Sequence, residues 1–147
     1  MDEHKQAIND HIQKDPFANH LGARVEIIAP GHSRVKLTVT EKLLNFHGTT
    51  HGGIVFSVGD IAFAAAGNSR GQTAVALNMT ISFLRVTQAG DTLVAEAKER
   101  ALNGPIGVYD IAVIEQKSGE LVAQIQAMIY RKREWFIQEE ESGGLGD

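Results

Sequence analysis

The chain has 147 residues, 43% of them hydrophobic and none of them cysteine, with a formal net charge of −4. That size allows one hydrophobic core and no second of comparable extent, and the missing thiols exclude disulfides, zinc-thiolate sites and a cysteine nucleophile while suiting a reducing compartment. The charge balance lacks the basic stripe of a nucleic-acid binder, and no apolar run approaches the roughly 20 residues that span a bilayer, so neither nucleic acid nor membrane is expected as a partner and a cytoplasmic location is.

Near the start, Ala7, Ile8, His11 and Ile12 recur at helical spacing and Pro16 lies just beyond, which predicts a short amphipathic helix within the first fifteen residues. Val25 and Ile27, then Val35, Leu37 and Val39, alternate with polar neighbours on either side of Pro30-Gly31. That pattern predicts a hairpin. After the loop Leu43 to Thr50, the stretch Gly53 to Gly67 is apolar on every face except at Ser57 and Asp60. A helix of this kind must be buried. Gly59, Ala62, Ala64, Ala65 and Ala66 keep it thin enough for another backbone to approach, and Gly67 is the expected stop.

Four strand-like runs follow: Thr73 to Val86, Thr92 to Leu102, Gly107 to Gln116 and Leu121 to Lys132, joined at Gln88 to Asp91, Asn103 to Pro105 and Lys117 to Glu120. The expected organisation is α+β, a single domain over residues 1–134 with an antiparallel sheet wrapped around one long central helix, and a flexible acidic tail over residues 135–147. One sheet cannot cover an all-apolar helix completely, which already suggests a second subunit.

Asp60 is the anomaly of that helix. A carboxylate in such surroundings must be paired, protonated or held in a cleft for use. Its structural alternative is to cap or hydrogen-bond a neighbouring segment. Upstream, Gly52 and Gly53 stand where the helix begins, and its first N–H groups have no intrahelical partner. Such donors hold an oxyanion well, although a plain turn into a helix uses the same residues. His47 and His51 are four apart, but no convincing third ligand accompanies them, so neither metal nor other cofactor is expected. His51 either anchors the loop or takes part directly. No Gly-x-Ser-x-Gly elbow occurs, which argues against a serine esterase.

The run Asn45 to Gly53 with Asp60, followed by Phe83-Leu84-Arg85, Ala89-Gly90-Asp91-Thr92-Leu93 and Gly107-Val108-Tyr109-Asp110, resembles the phenylacetate-pathway (PaaI-type) acyl-CoA thioesterases of the hot dog fold over residues 17 to 132. The resemblance implies that fold, a homodimer with a continuous sheet and shared active sites, assembly as a dimer of dimers, and hydrolysis of aryl- or arylacetyl-CoA. Carried over, Asp60 matches the catalytic carboxylate and Gly52 the N–H that polarises the thioester carbonyl, while Asn45 and His51 match polar residues lining the site, with Gly53 beside them. Ala76 stands where some relatives place a serine, with Asn78 as the nearest polar replacement. Arg85, ending an apolar strand, is the first candidate for a CoA phosphate. A non-catalytic acyl-CoA sensor is the rival reading, since fold does not fix function.

Overall fold

The computed structural model of the chain describes residues 2–138. Its first helix, α1 (Glu3–Ile12), is capped by the Asp2 carboxylate, which accepts from Lys5 N at 2.8 Å. Pro16 does more than end that helix. It opens a second short one, α2 (Pro16–Leu21), whose cap is Asp15, accepting from Phe17 N at 3.0 Å and Ala18 N at 3.1 Å. Proline suits the first helical turn because the N–H it lacks would be unpaired there anyway. Gly22 closes α2 in the left-handed conformation, φ 77°.

The predicted hairpin is β1 (Arg24–Ala29) and β2 (His32–Thr38), paired antiparallel across Gly31. Val35, Leu37 and Val39 are buried, as their alternation requires. The central helix, α3 (Gly52–Gly67), is continuous over 16 residues. A Cβ added at Gly59 would collide with Ile125 Cδ1, so glycine lets the sheet close down on the helix at that point. The helix ends at Gly67, as expected, but without a left-handed glycine cap. Asn68 stops it, with Nδ2 donating to Ala64 O at 2.9 Å and to Ala74 O at 3.2 Å, and Oδ1 accepting from Ala74 N at 2.8 Å. One side chain thereby joins the helix end to the start of β3.

The remaining strands are β3 (Gln72–Phe83), β4 (Thr92–Asn103), β5 (Ile106–Glu115) and β6 (Leu121–Trp135). The sheet is antiparallel, in the order β1-β2-β4-β5-β6-β3, with α3 packed against one face. The expected antiparallel sheet around a central helix, the hot dog arrangement, is therefore the architecture found. The first long strand ends at Phe83 rather than Val86, because Leu84 N and Arg85 N both turn to the single carbonyl of Val122 and the ladder stops.

At the other end, β6 runs one residue past the boundary drawn at 134, and Phe136 N donates to Gly71 O at 3.0 Å. Residues 139–147 of the predicted tail lie outside the described residues. Among the described residues no helix is long and apolar enough to cross a membrane.

Candidate active site

The loop before α3 is held by its own side chains. Asn45 Oδ1 accepts from His47 N at 2.9 Å and Thr49 N at 3.2 Å, and its Nδ2 donates to Thr49 Oγ1 at 2.9 Å. Asn45 is thus an Asx-turn organiser whose polar atoms are already engaged within the loop. Thr50 N donates to Thr87 O at 2.9 Å, and the buried Thr87 and Thr50 hydroxyls meet at 2.7 Å. These contacts tie the loop to the segment that follows β3.

His51 is the N-cap of α3, its Nδ1 accepting from Gly53 N at 2.8 Å. Accepting through Nδ1 leaves the ring proton on Nε2. Gly53 is consequently committed: its N–H goes to His51, its carbonyl accepts from Ser57 Oγ at 2.6 Å, and a Cβ there would sit 2.9 Å from His51 Nδ1. Gly52 differs. Its N–H has no partner among the described residues, and a Cβ there would meet only the Phe83 ring, at an ordinary 3.5 Å. Of the two glycines, only Gly52 offers an open donor at the helix start.

Asp60 lies on the least covered stripe of α3, with Gly53, Ser57 and Ala64 at helical spacing. It is half-buried, and no hydrogen-bond or ion-pair partner holds its carboxylate among the described residues. Burial pushes its pKa above the usual carboxylate value, and the negative charge of Asp15 pushes in the same direction. Along a continuous helix, the eight residues from Gly52 to Asp60 span about 12 Å. The same α3 therefore presents an open donor and an unpaired carboxylate that cannot meet on one carbonyl group.

Asp15 was not singled out by sequence, although an aspartate directly before a proline is a cap signal. Its substitution by asparagine keeps a capping oxygen and removes the charge that raises Asp60. The expected result for Asp15→Asn is a lower pKa of the Asp60 carboxyl, with folding retained. An NMR pH titration of that carboxyl reads this directly; an unmoved midpoint would mean that Asp15 does not act on Asp60.

The other predicted residues are spread around α3. Arg85 is ion-paired with Glu120 and donates to Ser118 Oγ at 3.2 Å, so it reaches a phosphate only by exchanging partners. Phe83, two residues earlier, has its ring against Gly52 at the N-terminal end of the helix, whereas the Arg85 side chain is held at Ser118 and Glu120. Phe83 belongs to the site's surroundings; the sequence placed it in a strand and in the family-like run Phe83-Leu84-Arg85, but not among the site residues.

The structure does not bring Asn78 to Asp60. A bulge between Ala76 and Asn78 resets the register, so Asn78 is paired with Met128, its Nδ2 lies 3.6 Å from Met128 Sδ, and it faces away from α3. Ala76, opposite the buried Ile129, occupies the helix-facing position instead.

Comparison with known proteins gives one consistent picture. Residues 47–122 match the thioesterase superfamily model. The chain is 44% identical over 116 residues to the acyl-coenzyme A thioesterase PaaI of Escherichia coli, covering 78% of this chain and 83% of that protein. The structure of the E. coli PaaI protein from the phenylacetic acid degradation operon superimposes with a TM-score of 0.84 at 40% identity, covering 90% and 96% of the two chains. A Streptococcus mutans protein bound to acetyl CoA matches with a TM-score of 0.70 at 27% identity, covering 75% of this chain and 88% of that one.

Proposed function

The chain belongs to the thioesterase superfamily, and on that premise we propose that it hydrolyses aryl- or arylacetyl-CoA thioesters, such as phenylacetyl-CoA or hydroxyphenylacetyl-CoA, to the free acid and CoA. Thioester hydrolysis is the family's reaction. The narrower substrate class is supported by the E. coli relative from the phenylacetic acid degradation operon, and the use of a CoA carrier by the acetyl CoA bound to the S. mutans protein. The observation that carries the reading is the half-buried Asp60, unpaired within the described chain, on the helix whose first residue, Gly52, has an open N–H.

In this mechanism the Asp60 carboxylate takes a proton from water as the water oxygen attacks the thioester carbonyl carbon. Gly52 N–H holds the oxyanion that forms. The intermediate collapses, the carbon–sulfur bond breaks, and the departing CoA thiolate receives the proton from Asp60. Because about 12 Å of helix separates Gly52 from Asp60, whereas base, water and carbonyl make contacts of roughly 3 Å each, the two residues come from different subunits. His51 fixes the first turn so that Gly52 N–H is presented, and Asn45 shapes the loop that leads into it.

A homodimer is supported by what the single chain leaves uncovered. Edge strand β3 carries the exposed Val75 and Leu77, and Leu84 and Val86 extend the apolar surface beyond its end. An apolar edge of this length is a template for pairing with a second copy. A dimer of dimers is the assembly we propose from such pairs.

The test is a panel of phenylacetyl-, hydroxyphenylacetyl-, benzoyl- and straight-chain CoA thioesters, followed by thiol release, with one turnover run in oxygen-18 water. The expected result is the highest kcat/KM on an arylacetyl thioester and label in the acid but none in the protein. Tight binding without thiol release across the panel would favour the sensor reading.

A further inference from the structure

A cleft of about 490 Å³ opens beside α3, walled by Ile12, Pro16, Val25, Ile61, Ala64 and Phe136. Its volume falls within the range of small-molecule sites, which are concave and mainly apolar. We infer that this cleft takes the acyl group of the thioester, and that the elbow between α1 and α2, together with Phe136, selects which acyl groups are accepted. The inference rests on the reading of Asp60 as the hydrolytic carboxylate.

Position is the first argument. Ile61 is the neighbour of Asp60 in sequence, and Ala64 lies one turn further along the same uncovered stripe, about 6 Å along the axis. The mouth of the cleft therefore lies within the reach of a short linker from a carbonyl held at Asp60. Asp15, also on the cleft wall, is close enough for its charge to act on Asp60.

Chemistry is the second. Two of the polar residues lining the cleft are already engaged by backbone: Asp15 caps α2, and Asn68 pins the end of α3. Neither needs a ligand to satisfy it; His11, Lys14 and Thr73 also line the cleft, and its other seven lining residues are apolar. Phe136 stacks on His11 with ring centroids 4.8 Å apart and planes at 25°. Such a pair forms a flat, rigid aromatic wall, against which an aryl ring packs face-on or edge-on. A ring joined by one methylene to the reacting carbonyl fits these features better than an extended alkyl chain.

The test compares the affinity of CoA with that of phenacyl-CoA, a thioether that cannot be hydrolysed, for the wild type, Ala64→Leu and Phe136→Ala. The wild type is expected to bind phenacyl-CoA about tenfold or more tightly than CoA, the gain from burying an aromatic ring. Ala64→Leu fills the cleft and Phe136→Ala removes its wall; each should erase most of that gain while leaving CoA affinity unchanged. Unchanged gain in both variants would overturn the assignment, whether or not dimerisation is affected, and so would loss of dimer in Ala64→Leu with the gain retained in Phe136→Ala. The outcome is separable from the hydrolytic reading. Loss of the gain in a protein that releases no thiol would uphold the cleft and sink the catalytic role, whereas turnover with an unaltered gain would do the reverse.

Discussion

Asp60→Asn is expected to abolish thioester hydrolysis and, at the same time, to make the protein harder to unfold at neutral pH. The amide is nearly isosteric with the carboxylate but cannot accept a proton from water, so kcat should fall at least about a hundredfold, the lower end of general-base contributions. The stability change has the opposite sign. Asp60 is half-buried, and its pKa is raised above the ordinary value of 3.8, chiefly by burial and then by Asp15. A group raised on folding stabilises the native state below its unfolded pKa and loses that contribution as pH rises through the folded pKa. At neutral pH the wild type therefore carries the cost of a desolvated charge that asparagine lacks. Tm of the variant should exceed that of the wild type at neutral pH, by about 2–4 °C for each kcal/mol relieved, and the difference should close in acid below the ordinary carboxylate range. Near-normal kcat would refute the catalytic role. A lower Tm at neutral pH would show that the carboxylate makes a stabilising contact in the assembled protein.

This combination of lost activity and gained stability is the mark of a residue held in place for use rather than for folding. It also separates the catalytic reading from the structural alternative raised by the sequence, in which Asp60 caps or hydrogen-bonds a neighbouring segment.

The central helix was legible in the sequence because the stretch from Gly53 to Gly67 has no polar face to offer solvent, and the sheet was legible because period-two alternation survives along most strands. Local signals with two meanings were read less well. Asp15-Pro16 marks both the end of one helix and the start of another, and only the contacts of the Asp15 carboxylate with Phe17 N and Ala18 N decide for the second.

Tertiary features were out of reach. Gly67 looked like the helix stop, and α3 does end there, but the cap is Asn68, which binds a strand that begins several residues later. The bulge between Ala76 and Asn78 leaves no trace in composition, but one extra residue moves every following side chain to the other face. That is why Asn78 is turned away from the helix. The site itself was half legible. Gly52 and Gly53 look equivalent in sequence, and what distinguishes them is the His51 ring, which takes the N–H of one and leaves the other open.

The second large effect concerns the division of the site between two chains. Asp60→Ala removes the carboxylate. Gly52→Pro removes the N–H with little damage, because Gly52 is the first residue of α3, where proline is tolerated. His51, at φ −60° and ψ 133°, already has the extended conformation that a following proline demands. Each variant alone should be inactive. In a mixed two-fold dimer, one site combines the intact Gly52 of one chain with the intact Asp60 of the other, and the second site has neither.

The decisive measurement is therefore the acyl-CoA thioesterase activity of the two dead variants after subunit exchange in equal amounts. Half of the dimers should be mixed and half of their sites intact, so activity should recover to about a quarter of wild type per site. No recovery, with exchange proven by independently tagged chains, would mean that Gly52 and Asp60 act within one chain and would contradict the shared site.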